Sequence, residues 1–208
     1  MSQAQNFKNI LFDLGGVILD INIQATLKHF YELGFPADLM QYPHAMTTDL
    51  FYKYETGKTD TEQFRNDIRL STGIEFSDEV FDEAWNAMLV RIPEERTKLL
   101  KVLSKRYNIY LLSNTSELHM KVVEKMYLDT AGETMQQIFK KLYYSFEIGS
   151  YKPDPEAWEH VINDAGIKAG ETLFLDDNIH NIKASQGLGF QAIHIHERTN
   201  LMNLGFDL

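Results

Sequence analysis

Ile10, Leu11 and Phe12 follow one another with no polar residue between them. That is the pattern of a strand buried on both faces, as at the centre of a parallel sheet. The run stops at Asp13, turns through Leu14-Gly15-Gly16 and becomes apolar again at Val17. Ile109-Tyr110-Leu111-Leu112 repeats the pattern and ends at Ser113-Asn114-Thr115, and Leu142 to Phe146, Thr172 to Leu175 and Gln191 to Ile195 read as three more strands. Between them the period becomes helical. Glu94 to Arg106 turns Leu99, Leu100 and Leu103 inward, and a helix starts near Ser116-Glu117 and runs toward Tyr127. Another runs from Pro155, with Asp154 as N-cap, to Gly166, and a last one follows Asp176-Asp177-Asn178 as far as Gly187 or Gly189. Leu128 to Lys141 carries no clear period.

Asp20 to Arg91 interrupts this alternation. It holds no convincing buried strand, but three sets recur at helical spacing: Ile23, Leu27, Phe30 and Tyr31; Phe64, Ile68 and Leu70; and Val80, Phe81, Ala84, Trp85 and Met88. Thr59 with Glu62 reads as a capping box, and Phe76-Ser77 before Asp78-Glu79 as a staple residue and an N-cap. Gly57 permits a tight turn ahead of Thr59, from which Glu55, Thr56 and Lys58 should project. The fold class expected is therefore α/β. A Rossmann-like parallel sheet core with right-handed crossovers spans 1–19 and 92–208, and a small helical cap is inserted at 20–91.

Composition narrows the partners. The 208 residues are 44% hydrophobic, enough for a substantial core, and carry a formal net charge of -10, which opposes binding to nucleic acid or anionic lipid. Without cysteine there is no disulfide, thiol nucleophile or thiolate metal site. Met1 to Asn9 is polar with no signal-peptide core, and no run approaches the roughly 18 apolar residues of a spanning helix. The expectation is a cytoplasmic protein with neither nucleic acid nor membrane as partner. Oligomeric state is not written in any pattern.

Parallel strands present their carboxyl ends on one side, so Asp13, Ser113, Lys152 and Asp176-Asp177 can converge. Taken one at a time they have plainer readings: Ser113 or Asn114 capping a helix, Lys152 solvated, the acidic pair capping the last helix. His119 and His180 sit on polar helix faces and read as solvent-facing. Together the strand-end residues make a phosphoryl-transfer site. Asp13 can attack phosphorus and form an aspartyl-phosphate. Ser113, nearby N–H groups and Lys152 supply donors and positive charge to the phosphate oxygens. Asp13, Asp177 and the Gly15 carbonyl suit Mg²⁺, with Asp176 as a ligand or as an acceptor behind it. The substrate implied is a small phosphorylated metabolite.

These residues resemble the four motifs of the haloacid dehalogenase-like hydrolase superfamily: Phe12-Asp13-Leu14-Gly15-Gly16-Val17, Leu112-Ser113-Asn114-Thr115, Lys152-Pro153 and Phe174-Leu175-Asp176-Asp177-Asn178. The inserted block resembles the C1 cap of subfamily IA. Tyr54-Glu55-Thr56-Gly57-Lys58-Thr59 is similar to the cap motif of the branch holding glucose-1-phosphate phosphatase and the phosphatase domain of epoxide hydrolase. The resemblance implies Mg²⁺-dependent hydrolysis of a phosphomonoester, a sugar phosphate in that branch, with Asp13 and Lys152 catalytic. It also implies Ser113, Asn114, Gly16 and Glu55 near the substrate.

One position departs from the family. Typical phosphatases carry Asp two residues after the nucleophile as general acid and base, help commonly worth about 10²–10⁴ in rate, and here Gly15 stands there. Glu55 is the candidate substitute. Two other readings follow. A 2-haloacid dehalogenase would use the same aspartate without metal, but it carries uncharged residues where this chain has Asp176 and Asp177. A binding or regulatory protein could keep the fold and lose turnover through Gly15.

Overall fold

The computed structural model describes residues 7–36, 49–196 and 199–206. The first six residues of the polar amino terminus and residues 37–48 of the inserted block lie outside that set. The chain opens with strand β1 (Asn9–Phe12). Ile10 and Phe12 pack into one hydrophobic cluster and Leu11 into another on the opposite face, which is why the strand has no polar alternation. A turn follows in which the Leu14 carbonyl accepts from the N–H groups of Val17, Ile18 and Leu19.

The inserted block begins and ends on a short antiparallel ribbon, β2 (Asp20–Ile21) with β3 (Leu89–Arg91). Neither strand is buried, so neither showed in the hydrophobic pattern. Between them lie α1 (Ile23–Glu32), α2 (Asp49–Glu55), α3 (Thr61–Thr72) and α4 (Asp78–Asn86). They share an aromatic core of Phe30, Tyr54, Phe64, Phe81 and Trp85. Three residues expected inside face water: Tyr31 is 68% exposed and Leu70 82%, and Val80 is exposed as well. A helix of this size buries one stripe, and Phe30, Ile68 and Phe81 already fill it. The capping box at Thr59 gives way to Asp60, whose carboxylate accepts the Gln63 N–H at 2.8 Å. Ser77 caps α4 as expected, with Phe76 stacked on Phe81 as the staple.

The core continues through α5 (Glu94–Leu103), β4 (Asn108–Ser113), α6 (Glu117–Ala131), α7 (Met135–Ile138), β5 (Lys141–Tyr144) and α8 (Ser145–Ile148). It closes with α9 (Pro155–Ala165), β6 (Thr172–Asp176), α10 (Ile179–Gly187) and β7 (Gln191–His194). The unclear stretch at Leu128 is the end of α6, stopped by Gly132 in the left-handed conformation, followed by α7. The strand expected to reach Phe146 ends at Tyr144, where Ser145 turns into α8 and exchanges hydrogen bonds with the Thr115 backbone. The five parallel strands lie in the order β5-β4-β1-β6-β7. The chain leaves β1 toward β4 on one side and reaches β6 on the other, so the strand order reverses beside β1 and opens a crevice beyond its carboxyl end. Among the described residues no helix is long and apolar enough to cross a membrane.

Candidate active site

Asp13 ends β1 in that crevice, its N–H bonded to the Leu175 carbonyl of β6 at 2.8 Å. Lys152 reaches it from the loop after α8. Its Nζ donates to Asp13 Oδ1 at 2.6 Å and to Asp176 Oδ2 at 2.7 Å, and the residue is only 2% exposed. The solvated reading of this lysine is therefore wrong. Asn114 holds the lysine's backbone: its Nδ2 donates to the Lys152 carbonyl at 2.7 Å while its Oδ1 accepts the Lys152 N–H at 2.8 Å. The amide oxygen and one of its N–H groups are taken, so Asn114 positions the lysine loop while also lining the cavity at the strand ends. Neither Ser113 nor Asn114 caps α6, because Ser116 does. Ser113 is buried, and its hydroxyl bonds to no other described residue.

Asp176 is saturated. Its two oxygens accept from Lys152, from the Asn178 N–H at 2.7 Å and from Asn181 Nδ2 at 3.1 and 3.0 Å. Asn181 escaped the sequence reading. It lies one helical turn into α10, and only its position over the strand end gives it a role. Asp177 is exposed and its carboxylate carries no such bonds. Asp13, Asp176 and Asp177 each offer a carboxylate oxygen within 4.8 Å of the others. Gly16, at φ +69°, makes room for this: a Cβ there would overlap the Asp177 carboxylate. Three carboxylates gathered around a glycine-cleared space, with the Asp177 carboxylate uncommitted, suit a hard divalent cation. Burial, and then the fields of Asp176 and Asp177, raise the Asp13 carboxyl against the pull of Lys152.

A cavity of about 630 Å³ covers these groups. Asp13, Ser113, Lys152 and Asp177 line one part of it, and Ile21, Ile23, Met88 and Leu89 from the ribbon and α1 line another. Glu55 lines it too. It does not project from a loop as expected; it is the last residue of α2 and 4% exposed, with Thr56 buried beside it. Lys58 alone stands out into solvent, over the Tyr52 ring.

The inserted block rests on the start of α6, directly after Ser113. Trp85 Nε1 donates to Ser116 Oγ at 3.0 Å, the Leu118 N–H donates to the Tyr54 hydroxyl at 3.3 Å, and Thr61 donates to Glu117 at 2.7 Å. His119 is part of this contact, which corrects its solvent-facing reading. Its ring stacks on Trp85 at 5.2 Å, and its Nε2–H donates to the Trp85 carbonyl at 3.1 Å. Burial lowers its pKa to about 4, so it is neutral. His180 is exposed, as expected.

Residues 7–189 match the family model described as haloacid dehalogenase-like hydrolase. A curated relative, the D-ribitol-5-phosphate phosphatase of Bacteroides thetaiotaomicron, is 32% identical over 89% of this chain and 90% of its own length. The rat bifunctional epoxide hydrolase 2 is 24% identical over 92% of this chain but only 37% of its own. The crystal structure of a HAD family enzyme from Bacteroides thetaiotaomicron, in complex with magnesium and inorganic phosphate, superposes with a TM-score of 0.84. It shares 35% identity, covering 91% of this chain and 94% of the other.

Proposed function

This chain belongs to the haloacid dehalogenase-like hydrolase family, and we propose that it is a Mg²⁺-dependent phosphatase acting on a small sugar or polyol phosphate through an aspartyl-phosphate on Asp13. One observation carries the reading. A buried lysine bridges Asp13 Oδ1 and a second, saturated carboxylate, leaving Asp13 Oδ2 unpaired on a residue that lines a cavity shared with a free serine hydroxyl and Asp177.

Asp13, Asp177 and the Gly15 carbonyl would hold Mg²⁺, and Asp176 orients Lys152 from behind. When bound, the ion offsets negative charge on the phosphate oxygens and so lets a carboxylate approach them. The chain's own groups do the rest. Lys152 holds Asp13 Oδ1 and thereby fixes the direction of Oδ2. Ser113 donates to a phosphate oxygen, and the apolar wall around Ile21 and Met88 excludes water from the leaving group. Residues 20–91 act as the cap over this site. The exposed Asp177 carboxylate argues against a 2-haloacid substrate, whose own carboxylate it would repel.

The test is phosphate release from D-ribitol 5-phosphate and from p-nitrophenyl phosphate, with and without Mg²⁺, by wild type and Asp13→Asn. Wild type should need Mg²⁺ and the variant should be inactive, because an amide cannot form the acyl-phosphate. Turnover by Asp13→Asn near the wild-type rate overturns the mechanism, and no Mg²⁺-dependent release by wild type overturns the activity.

A further inference from the structure

We propose that Glu55, at the end of α2, is the proton-transfer group of this site and replaces the carboxylate that Gly15 lacks; the assignment rests on the phosphatase reading above.

The usual place for that carboxylate is crowded. A Cβ built on Gly15 would meet Ile21 Cδ1 at 3.3 Å and Cγ2 at 3.7 Å, so the ribbon's isoleucine would have to give way by a few tenths of an ångström before a side chain at 15 could enter. Apart from the carboxylates already assigned, His180 is exposed to solvent on the first turn of α10, and four other ionisable groups of the cavity are committed or unsuited. His119 spends its N–H on the Trp85 carbonyl and stays neutral, and His194 Nε2 is engaged by the Asp177 carbonyl at 2.8 Å. Lys152 serves two carboxylates. The Tyr151 phenol is held above its ordinary value by burial and by the charge of Glu55, and gives up no proton near neutrality.

Glu55 differs from all of these. Its side chain is buried, lines the same cavity as Asp13, and makes no hydrogen bond or ion pair with any described residue. An unpaired buried carboxyl costs stability, and such groups concentrate where chemistry needs them. Its place is set by Gly57, at φ +66°, packed so tightly on α8 that a Cβ there would overlap the Phe146 carbonyl oxygen. Burial raises the Glu55 pKa to about 7, the range in which one carboxyl both gives and takes a proton at neutral pH.

The proton balance closes. As Asp13 Oδ2 bonds to phosphorus, the ester P–O bond breaks and the Glu55 carboxyl protonates the departing alkoxide, leaving as alcohol. The Glu55 carboxylate then takes a proton from water as the water oxygen attacks the aspartyl-phosphate. The P–O bond to Asp13 breaks, restoring its carboxylate and releasing phosphate.

The experiment compares Glu55→Gln with wild type on alkyl phosphates and on p-nitrophenyl phosphate, following both the first turnover and the steady state. On alkyl phosphates kcat should fall at least about 100-fold with KM little changed. Nitrophenolate leaves unprotonated, so its first turnover should be near normal, and a burst of one equivalent should follow because the phosphoenzyme now hydrolyses slowly. Adding Gly15→Asp with Ile21→Ala to Glu55→Gln should recover alkyl kcat at least about tenfold. In wild type, a fall in rate above pH 7 should appear with alkyl phosphates and be absent from the first turnover of the aryl ester, a readout that needs no variant to fold. Equal losses on both substrate classes, a raised KM with unchanged kcat, or no loss at all would overturn the assignment. Should Asp13→Asn be inactive while Glu55→Gln is normal, only the assignment of Glu55 fails; an active Asp13→Asn removes the phosphatase mechanism itself.

Discussion

Gly16 and Asp177 share one space: a Cβ on the glycine would lie within 2.6 Å of the aspartate's carboxyl carbon. Residue 16 also sits at φ +69°, where L side chains are strained. Gly16→Ala should therefore displace Asp177, raise the half-saturating Mg²⁺ concentration at least about tenfold, and cost about 1–2 kcal/mol of stability. Asp177→Asn should reproduce the metal effect without the strain. A Mg²⁺ titration of activity checks both, and an unchanged requirement would remove Asp177 from the ligand set.

Asp176 is a partner to the buried lysine rather than a surface charge. Asp176→Asn leaves the almost fully buried Lys152 with Asp13 alone and should cost about 3 kcal/mol or more. Urea unfolding at neutral pH measures it. A loss below about 1 kcal/mol would mean that water replaces the missing charge.

Glu55 and His119 give the stability curve opposite slopes. Burial raises the folded pKa of Glu55 from 4.5 to about 7, so its contribution is fully present below pH 4.5 and is lost as pH rises through 7. The folded pKa of His119 falls from 6.5 to about 4, so the unfolded chain binds the extra proton and stability is lost as pH falls from 6.5 to 4. Each amounts to up to about 3 kcal/mol, and the two oppose each other between pH 4.5 and 6.5. Glu55→Gln should accordingly raise Tm at pH 8 and change it little at pH 4.5. Thermal melts at the two pH values decide it; an equal shift at both would mean that the carboxyl's charge is not what matters.

Gly57→Ala should act at a distance. Its methyl would push on the Phe146 carbonyl and lift the end of α2 from α8. Alkyl-phosphate turnover should fall at least about tenfold as Glu55 moves, while the half-saturating Mg²⁺ concentration stays at its wild-type value. A change in metal requirement would show that the disturbance spreads to Asp13.

The strand ends were legible because a buried parallel strand must be apolar throughout. The first polar residue after each run then marks the carboxyl edge of the sheet, and that rule located Asp13, Ser113 and Asp176 without coordinates. The inserted helices were legible for a similar reason, from one apolar stripe per helix. Their outer positions were not: Tyr31, Leu70 and Val80 fit the helical period yet lie outside the stripe that finds a partner. Only the folded chain decided which polar groups are spent and which are free. Asn114 and Asp176 read as ligands in sequence, but in the fold they also hold their neighbours, Asn114 the Lys152 backbone and Asp176 the Lys152 ammonium, Asn178 and Asn181. Glu55 looks like a loop residue, but packing buries it at the end of α2 in the wall of the cavity that Asp13 also lines. Hydrogen-bond commitment and desolvation depend on neighbours distant along the chain, and local pattern holds no record of them.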